Sequence, residues 1–95
     1  MGKTKNADAR FWQDYGYVAR GKQRRRVINA MERPMSVNQI RMKAGLSLSE
    51  TSRVLRGFAK QGLAMCITPE HLTGRIYALT AKGKRIREEL AKTSP

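Results

Sequence analysis

A mostly helical α+β domain is predicted by three features of this 95-residue sequence. Met35 to Gly62 holds two short stretches, each opened by a serine cap and separated by a glycine. Two short apolar segments follow, joined by a link that contains proline and glycine, the pattern of a β-hairpin. Apolar residues at helical spacing lie on either side of this region. The element order is therefore helix, helix, helix, hairpin, helix, after an aromatic N-terminal segment. A capped helix, a glycine turn and a second capped helix are the sequence form of a helix-turn-helix.

The first capping signal is Ser36 followed by Gln39, whose hydroxyl and amide satisfy free backbone donors at a helix start. Met35 and Ile40 flank that cap at the spacing of a hydrophobic staple. A helix is thus expected from Val37 to Ala44, closed by Gly45 in the left-handed conformation with Leu46 folding back on the last turn. Ser47 followed by Glu50 opens the next helix, expected from about Leu48 to Gln61.

At 100° per residue, Leu48, Thr51, Leu55, Phe58 and Ala59 share one arc of this second helix and are expected in a core. Ser49, Arg53, Arg56 and Lys60 cluster on the opposite side. Arginine there can fork onto guanine edges or clamp phosphate, serine can contact either, and the helix N-terminus favours an anion. An ordinary solvated face is the competing reading, since basic residues on a helix usually form one. The capped helix and glycine turn that precede this face favour contact with nucleic acid.

Charge agrees. Lys and Arg number 20 against 7 Asp and Glu, a formal net charge of +13. A domain this basic collects polyanions, and nucleic acid is the usual one. An anionic membrane is the competing surface, but the chain has no long apolar run, signal peptide or lipidation motif, so a cytoplasmic protein is expected. The length suits one small domain; below roughly 70 to 80 residues a single core contributes only a few kcal/mol, so a second subunit would help.

The only cysteine, Cys66, sits in an apolar run and reads as a small core residue. With His71 as its only soft neighbour it lacks the companions of a metal site, and no metal or cofactor is expected. No Ser-His-Asp, Cys-His, paired-carboxylate or phosphate-loop set can be assembled from these residues, which argues against an enzyme.

The remaining elements follow in order. Residues 1–9 read as a disordered N-terminus, and residues 93–95 as a tail of the domain that spans 10–92. Phe11, Trp12, Tyr15 and Tyr17 crowd ahead of the first core helix, four of the six aromatic residues. They carry too much apolar surface for a free tail and are expected to pack on this core or on a partner. Lys22 to Glu32 has an apolar stripe of Val27, Ile28 and Met31, ended by Arg33-Pro34. Lys22, Arg25 and Arg26 project away from the stripe and can touch phosphate. Arg24 falls on the apolar arc and is expected to be partly buried and paired. Leu63 to Thr68 and Arg75 to Leu79 read as hairpin strands with a loop of about six residues. The hairpin is a wing, 69–75, with Arg75 at its tip near a minor groove or phosphate. Thr80 caps a last helix to about Lys92, with Gly83, Ile86 and Leu90 along one side, facing the domain or a dimer seam.

From Val18 to Leu90 the chain resembles the archaeal winged helix-turn-helix transcriptional regulators, related to the MarR and ArsR groups. The segments that carry the resemblance are GLSLSETSRVLRGFAKQGL, CITPE, GRIYALT and TAKGK. It implies a homodimer that places the 48–61 helix of each subunit in successive major grooves of double-stranded DNA, wings outward. It also implies that Ser49, Ser52, Arg53 and Arg56 match DNA-contacting positions. With Lys60 these form the expected recognition set; Ser36, Lys22, Arg25, Arg26 and Arg75 form a weaker phosphate or wing set. The sequence departs from the family at Gln23, where an aromatic residue is common, and at His71-Leu72-Thr73, which replaces a more basic wing tip. The metal-ligating cysteines of ArsR-type sensors are absent, and no effector pocket is visible. Two other functions fit the same residues: a non-specific architectural or chromatin protein, and an RNA- or protein-binding winged helix.

Overall fold

The computed structural model describes the backbone of residues 2–71 and 74–93, and within them the side chains from residue 9 onward. Five helices and three short strands follow in the order α1 (Gly2–Ala19), α2 (Lys22–Ala30), β1 (Met35–Ser36), α3 (Val37–Ala44), α4 (Leu48–Lys60), β2 (Ala64–Cys66), β3 (Ile76–Leu79) and α5 (Ala81–Thr93). The helix-turn-helix, hairpin and last helix expected from the sequence are all present.

Both capping boxes form. Ser36 Oγ accepts from the Gln39 amide at 3.1 Å, and Gln39 Oε1 accepts from the Ser36 amide at 2.9 Å. The Ser47–Glu50 box repeats these distances. Gly45 closes α3 at φ 72°, where a β-carbon would be strained, and the Gly45 and Leu46 amides both donate to the Arg41 carbonyl. Met35 and Ile40 are both buried, as a staple requires. The turn between α3 and α4 is therefore held at both ends by local hydrogen bonds and from beneath by apolar contact.

The core gathers Val27 and Ile28 from α2, Ile40 from α3, Leu55 and Phe58 from α4, Leu63 just ahead of β2, Leu79 from β3, and Ile86 and Leu90 from α5. Thr51 is fully buried, its hydroxyl donating to the Ser47 carbonyl at 2.9 Å. One expectation for α4 is corrected. Leu48 and Ala59 are exposed and Val54 is buried in their place. The buried arc runs through Thr51, Val54, Leu55 and Phe58, rotated by about 40° from the expected one at 100° per residue. α4 also ends at Lys60, with Gln61 as its cap.

The sheet order is β1-β3-β2, antiparallel throughout. β2 and β3 form the expected hairpin, with Cys66 opposite Tyr77 and Ala64 opposite Leu79. β1 was not foreseen; its two residues pair with Tyr77 and Ile76. Thr80 caps α5, its hydroxyl accepting from the Gly83 amide at 3.2 Å and donating to the Gly62 carbonyl at 2.7 Å. Gly83 is buried because α5 crosses the chain so closely that a β-carbon there would lie 2.1 Å from the Leu63 carbonyl oxygen.

Two boundaries differ. α2 ends at Ala30 rather than Glu32, because Met31 leaves helical geometry (φ −85°, ψ 64°) ahead of Pro34. α1 is longer than expected: residues 2–9, read as disordered, are helical. Lys3 to Tyr15 contains alanine, lysine and arginine and neither proline nor glycine, so nothing interrupts the helix that the aromatic cluster anchors. Phe11, Val18 and Asp14 are buried from α1. Asp14 pairs with Lys82 at 2.8 Å, Tyr15 meets the Thr93 hydroxyl at 2.8 Å, and the Arg85 guanidinium lies 4.5 Å from the Phe11 ring centroid. These contacts fasten α1 to α5. Thr93, expected in the tail, is the last residue of α5, and residues 94–95 of that tail lie outside the described residues.

Candidate nucleic-acid interface

The outward side of α4 presents Ser49, Arg53 and Arg56 to solvent, with Ser52 half-buried beside them. Leu48, Ser52 and Arg56 stand four residues apart and form one ridge; Ser49 and Arg53 form the next. None of these side chains is drawn into the core, and the Ser47–Glu50 box fixes the helix end that carries them.

Glu50 is the one acid in this region of α4. The Ser47 backbone and hydroxyl hold its carboxyl below the usual range, and the nearby Arg53 and Arg26 act in the same direction. Its other oxygen accepts from Gln23 Nε2 at 2.7 Å, which ties the start of α4 to α2. The Gln23 departure from the family pattern thus has a structural use.

The start of α2 lies alongside. Lys22, Arg25 and Arg26 are exposed, as expected. Arg24 is half-buried: its Nη1 donates to the Tyr17 carbonyl at 2.7 Å, and its guanidinium lies 3.9 Å from the Tyr17 ring centroid. Its partners are a carbonyl and an aromatic face. A recess of about 490 Å³ joins these elements, lined by Arg20, Lys22, Gln23 and Arg24 on one side and Arg53 and Val54 on the other. Arg53 and Lys22, far apart in sequence, therefore share one cationic hollow. Arg20 was missed as a member of this site; five basic residues within the seven from Arg20 to Arg26 were the available signal.

Tyr17 also explains Gly57. A β-carbon on Gly57 would lie 2.5 Å from the Tyr17 hydroxyl, so the glycine leaves room for the tip of this α1 side chain beside the basic face.

Solved structures share this architecture. A MarR family transcriptional regulator from Silicibacter pomeroyi superposes with a TM-score of 0.68 at 20% identity, over 94% of this chain and 62% of that one. A second from the same organism gives 0.69 at 16%, over 97% and 67%. The multiple antibiotic-resistance repressor (MarR) from Listeria monocytogenes 4b F2365 gives 0.69 at 14%, over 98% and 65%. The fold is that of the MarR regulators. This chain spans about two thirds or less of their length. No family model matches the sequence, and no curated protein is significantly similar to it. The MarR part of the resemblance holds at the level of fold; these neighbours give no support to an archaeal origin.

Within this MarR-type fold the remaining expected site residues scatter. Lys60 is exposed but lies about 18 Å along α4 from Leu48 at 1.5 Å per residue. It lines a separate hollow with Arg10, Gln13, Asp14, Gln61 and Lys82. Arg26 borders a recess between α2 and α3 with Asn29 and Lys43. Arg25 Nη1 donates to the Ala19 carbonyl. Ser36 is half-buried and its oxygen already accepts from Gln39, which leaves its proton to donate. In the wing, Arg75 Nε donates to the His71 carbonyl at 2.7 Å, so the side chain folds back along the loop. Leu72 and Thr73 of the wing tip lie outside the described residues. Cys66 is half-buried, and no cluster of metal-ligating side chains occurs among the described residues. No helix there is long and apolar enough to cross a membrane.

Proposed function

We propose that this chain is a cytoplasmic, DNA-binding transcriptional regulator, working as a homodimer that sets α4 of each protomer into successive major grooves. Ser49, Ser52, Arg53 and Arg56 read base edges. Lys22, Arg25 and Arg26 rest on phosphate, with Ser36 at the head of α3 as a lesser donor. Lys60 reaches the outer backbone at most, and the 69–75 wing with Arg75 lies on the adjacent backbone or minor groove. The observation that carries this reading is the outward display of Ser49, Arg53 and Arg56 on a capped α4, continued through Arg53 into the hollow that contains Lys22. Forked guanidinium groups and hydroxyls on a rigid helix are what base recognition in a major groove requires. Trp12, 54% exposed on α1, supplies apolar area for a second protomer.

Selection from a randomised duplex library at physiological salt tests the reading. The expected result is a palindromic motif with half-sites about one helical turn apart, bound at least ~10³-fold better than random duplex. If about eight phosphates are neutralised per dimer, the log-log salt slope is near −7. Tight, salt-sensitive binding to every duplex with no enriched motif would favour the architectural reading, which the net charge of +13 also suits.

A further inference from the structure

We infer that Leu48 is a base-reading residue that packs on the C5 methyl group of a thymine in the major groove. The inference rests on the DNA-binding reading above and adds a ligand atom to it. Five large apolar side chains are exposed among the described residues: Trp12, Met42, Leu48, Met65 and Ile67. Leu48 alone belongs to α4, at 54% exposure, and it is the first residue of that helix.

A single exposed leucine has no meaning by itself. This one differs in what surrounds it. The ridge Leu48, Ser52, Arg56 places an apolar group, a hydroxyl and a guanidinium in line along the outer face. The capping box on either side of Leu48 fixes its backbone, so its position is set before any partner arrives. Val54, Leu55 and Phe58 of the same helix are buried, and Leu46 packs at the edge of the core just before it, while Leu48 is left outside. Leaving a leucine exposed here forgoes the burial it would gain elsewhere in the fold.

The first turn of a recognition helix is the part that meets base edges. In the major groove, thymine differs from cytosine in offering a methyl group, and apolar side chains are its complement. Arg56 and Ser52, next on the ridge, would address the donor and acceptor pattern of neighbouring pairs.

The test replaces each thymine of the selected duplex by deoxyuridine, one position at a time, which removes the methyl and leaves base pairing intact. Affinities of the wild-type chain and of Leu48→Ala are measured on the whole series by fluorescence anisotropy. One replacement per half-site should weaken the wild type roughly four-fold, the value of one buried methyl group, and leave Leu48→Ala unchanged within two-fold. The exposed position keeps Leu48→Ala folded, checked by its circular dichroism and melting curve. Equal losses in both proteins at every position would overturn the assignment, as would a selected half-site that requires no thymine. In both of those cases specific DNA binding stands. Failure to enrich any duplex would instead sink the function itself, and this assignment with it.

Discussion

The helix-turn-helix and the wing both carry arginine on exposed backbone, yet they are built differently. α3 and α4 are held by two capping boxes, a left-handed glycine and a buried staple, and Arg53 and Arg56 stand free on a rigid helix. The wing has strands of three and four residues, and its one arginine spends its Nε on the His71 carbonyl. Ser47 and Glu50 satisfy the helix start without using the outward side chains, whereas the wing satisfies its loop by using them. Groups left unengaged on a rigid element are the ones that can form specific hydrogen bonds at low ordering cost.

The wing also depends on a single close crossing at its root. Gly83→Ala would drive a β-carbon into the Leu63 carbonyl next to β2, where only backbone can give way. The loss of stability should be about 3 kcal/mol, seen as a drop of more than about 10 °C in melting temperature. A near-neutral result would mean that the wing root is far more pliant than the structure implies.

Helix and wing should also differ in binding. Arg53→Ala and Arg56→Ala should each cost roughly 1 to 3 kcal/mol on the selected duplex and relax base preference, whereas Arg75→Ala should cost under ~0.5 kcal/mol. Arg25→Ala should weaken all sequences alike and reduce the salt slope. Equal losses from Arg53→Ala and Arg75→Ala, measured by titration, would erase the distinction between helix and wing.

The smallest effect is on pH. The folded-state carboxyl of Glu50 is held below its ordinary value by Ser47, then by Arg53 and Arg26. The group binds protons more readily in the unfolded chain, so its stabilising contribution is present above the ordinary carboxylate value. That contribution is lost as pH falls through the folded value. Glu32 behaves alike, through its hydrogen bond and ion pair with Lys43. Acid should therefore loosen the α2–α3–α4 unit before the hairpin, read as earlier amide exchange there. Glu50→Gln, which retains capping ability, should flatten the dependence.

Much of this was legible in the sequence where the cause is local. The Ser36 and Ser47 caps, Gly45, Thr80 and the Gly83, Ile86, Leu90 stripe depend on neighbours within a turn or two, and each occurs as read. Features set by distant chain were not. β1 is two residues long, too short for any periodicity, and exists only because Tyr77 and Ile76 lie opposite it. The rotation of α4 that exposes Leu48 and buries Val54 is decided by where α2 and β2 pack. The hollow joining Arg53 to Lys22 and Arg20 needs the α1–α2 corner, which no spacing rule supplies. The basic face itself was readable from composition and helical angle, but its division into free and engaged arginines was not.

The outer face of α4 is the surface proposed to meet DNA. Backbone amide shifts followed by NMR, as the selected duplex is titrated into the intact chain, address this directly. The largest changes should fall on Leu48 to Arg56 and on Lys22 to Arg26, with the Trp12 indole and the wing strands little moved. Maximal changes on the wing or around Trp12, with α4 unaffected, would contradict it.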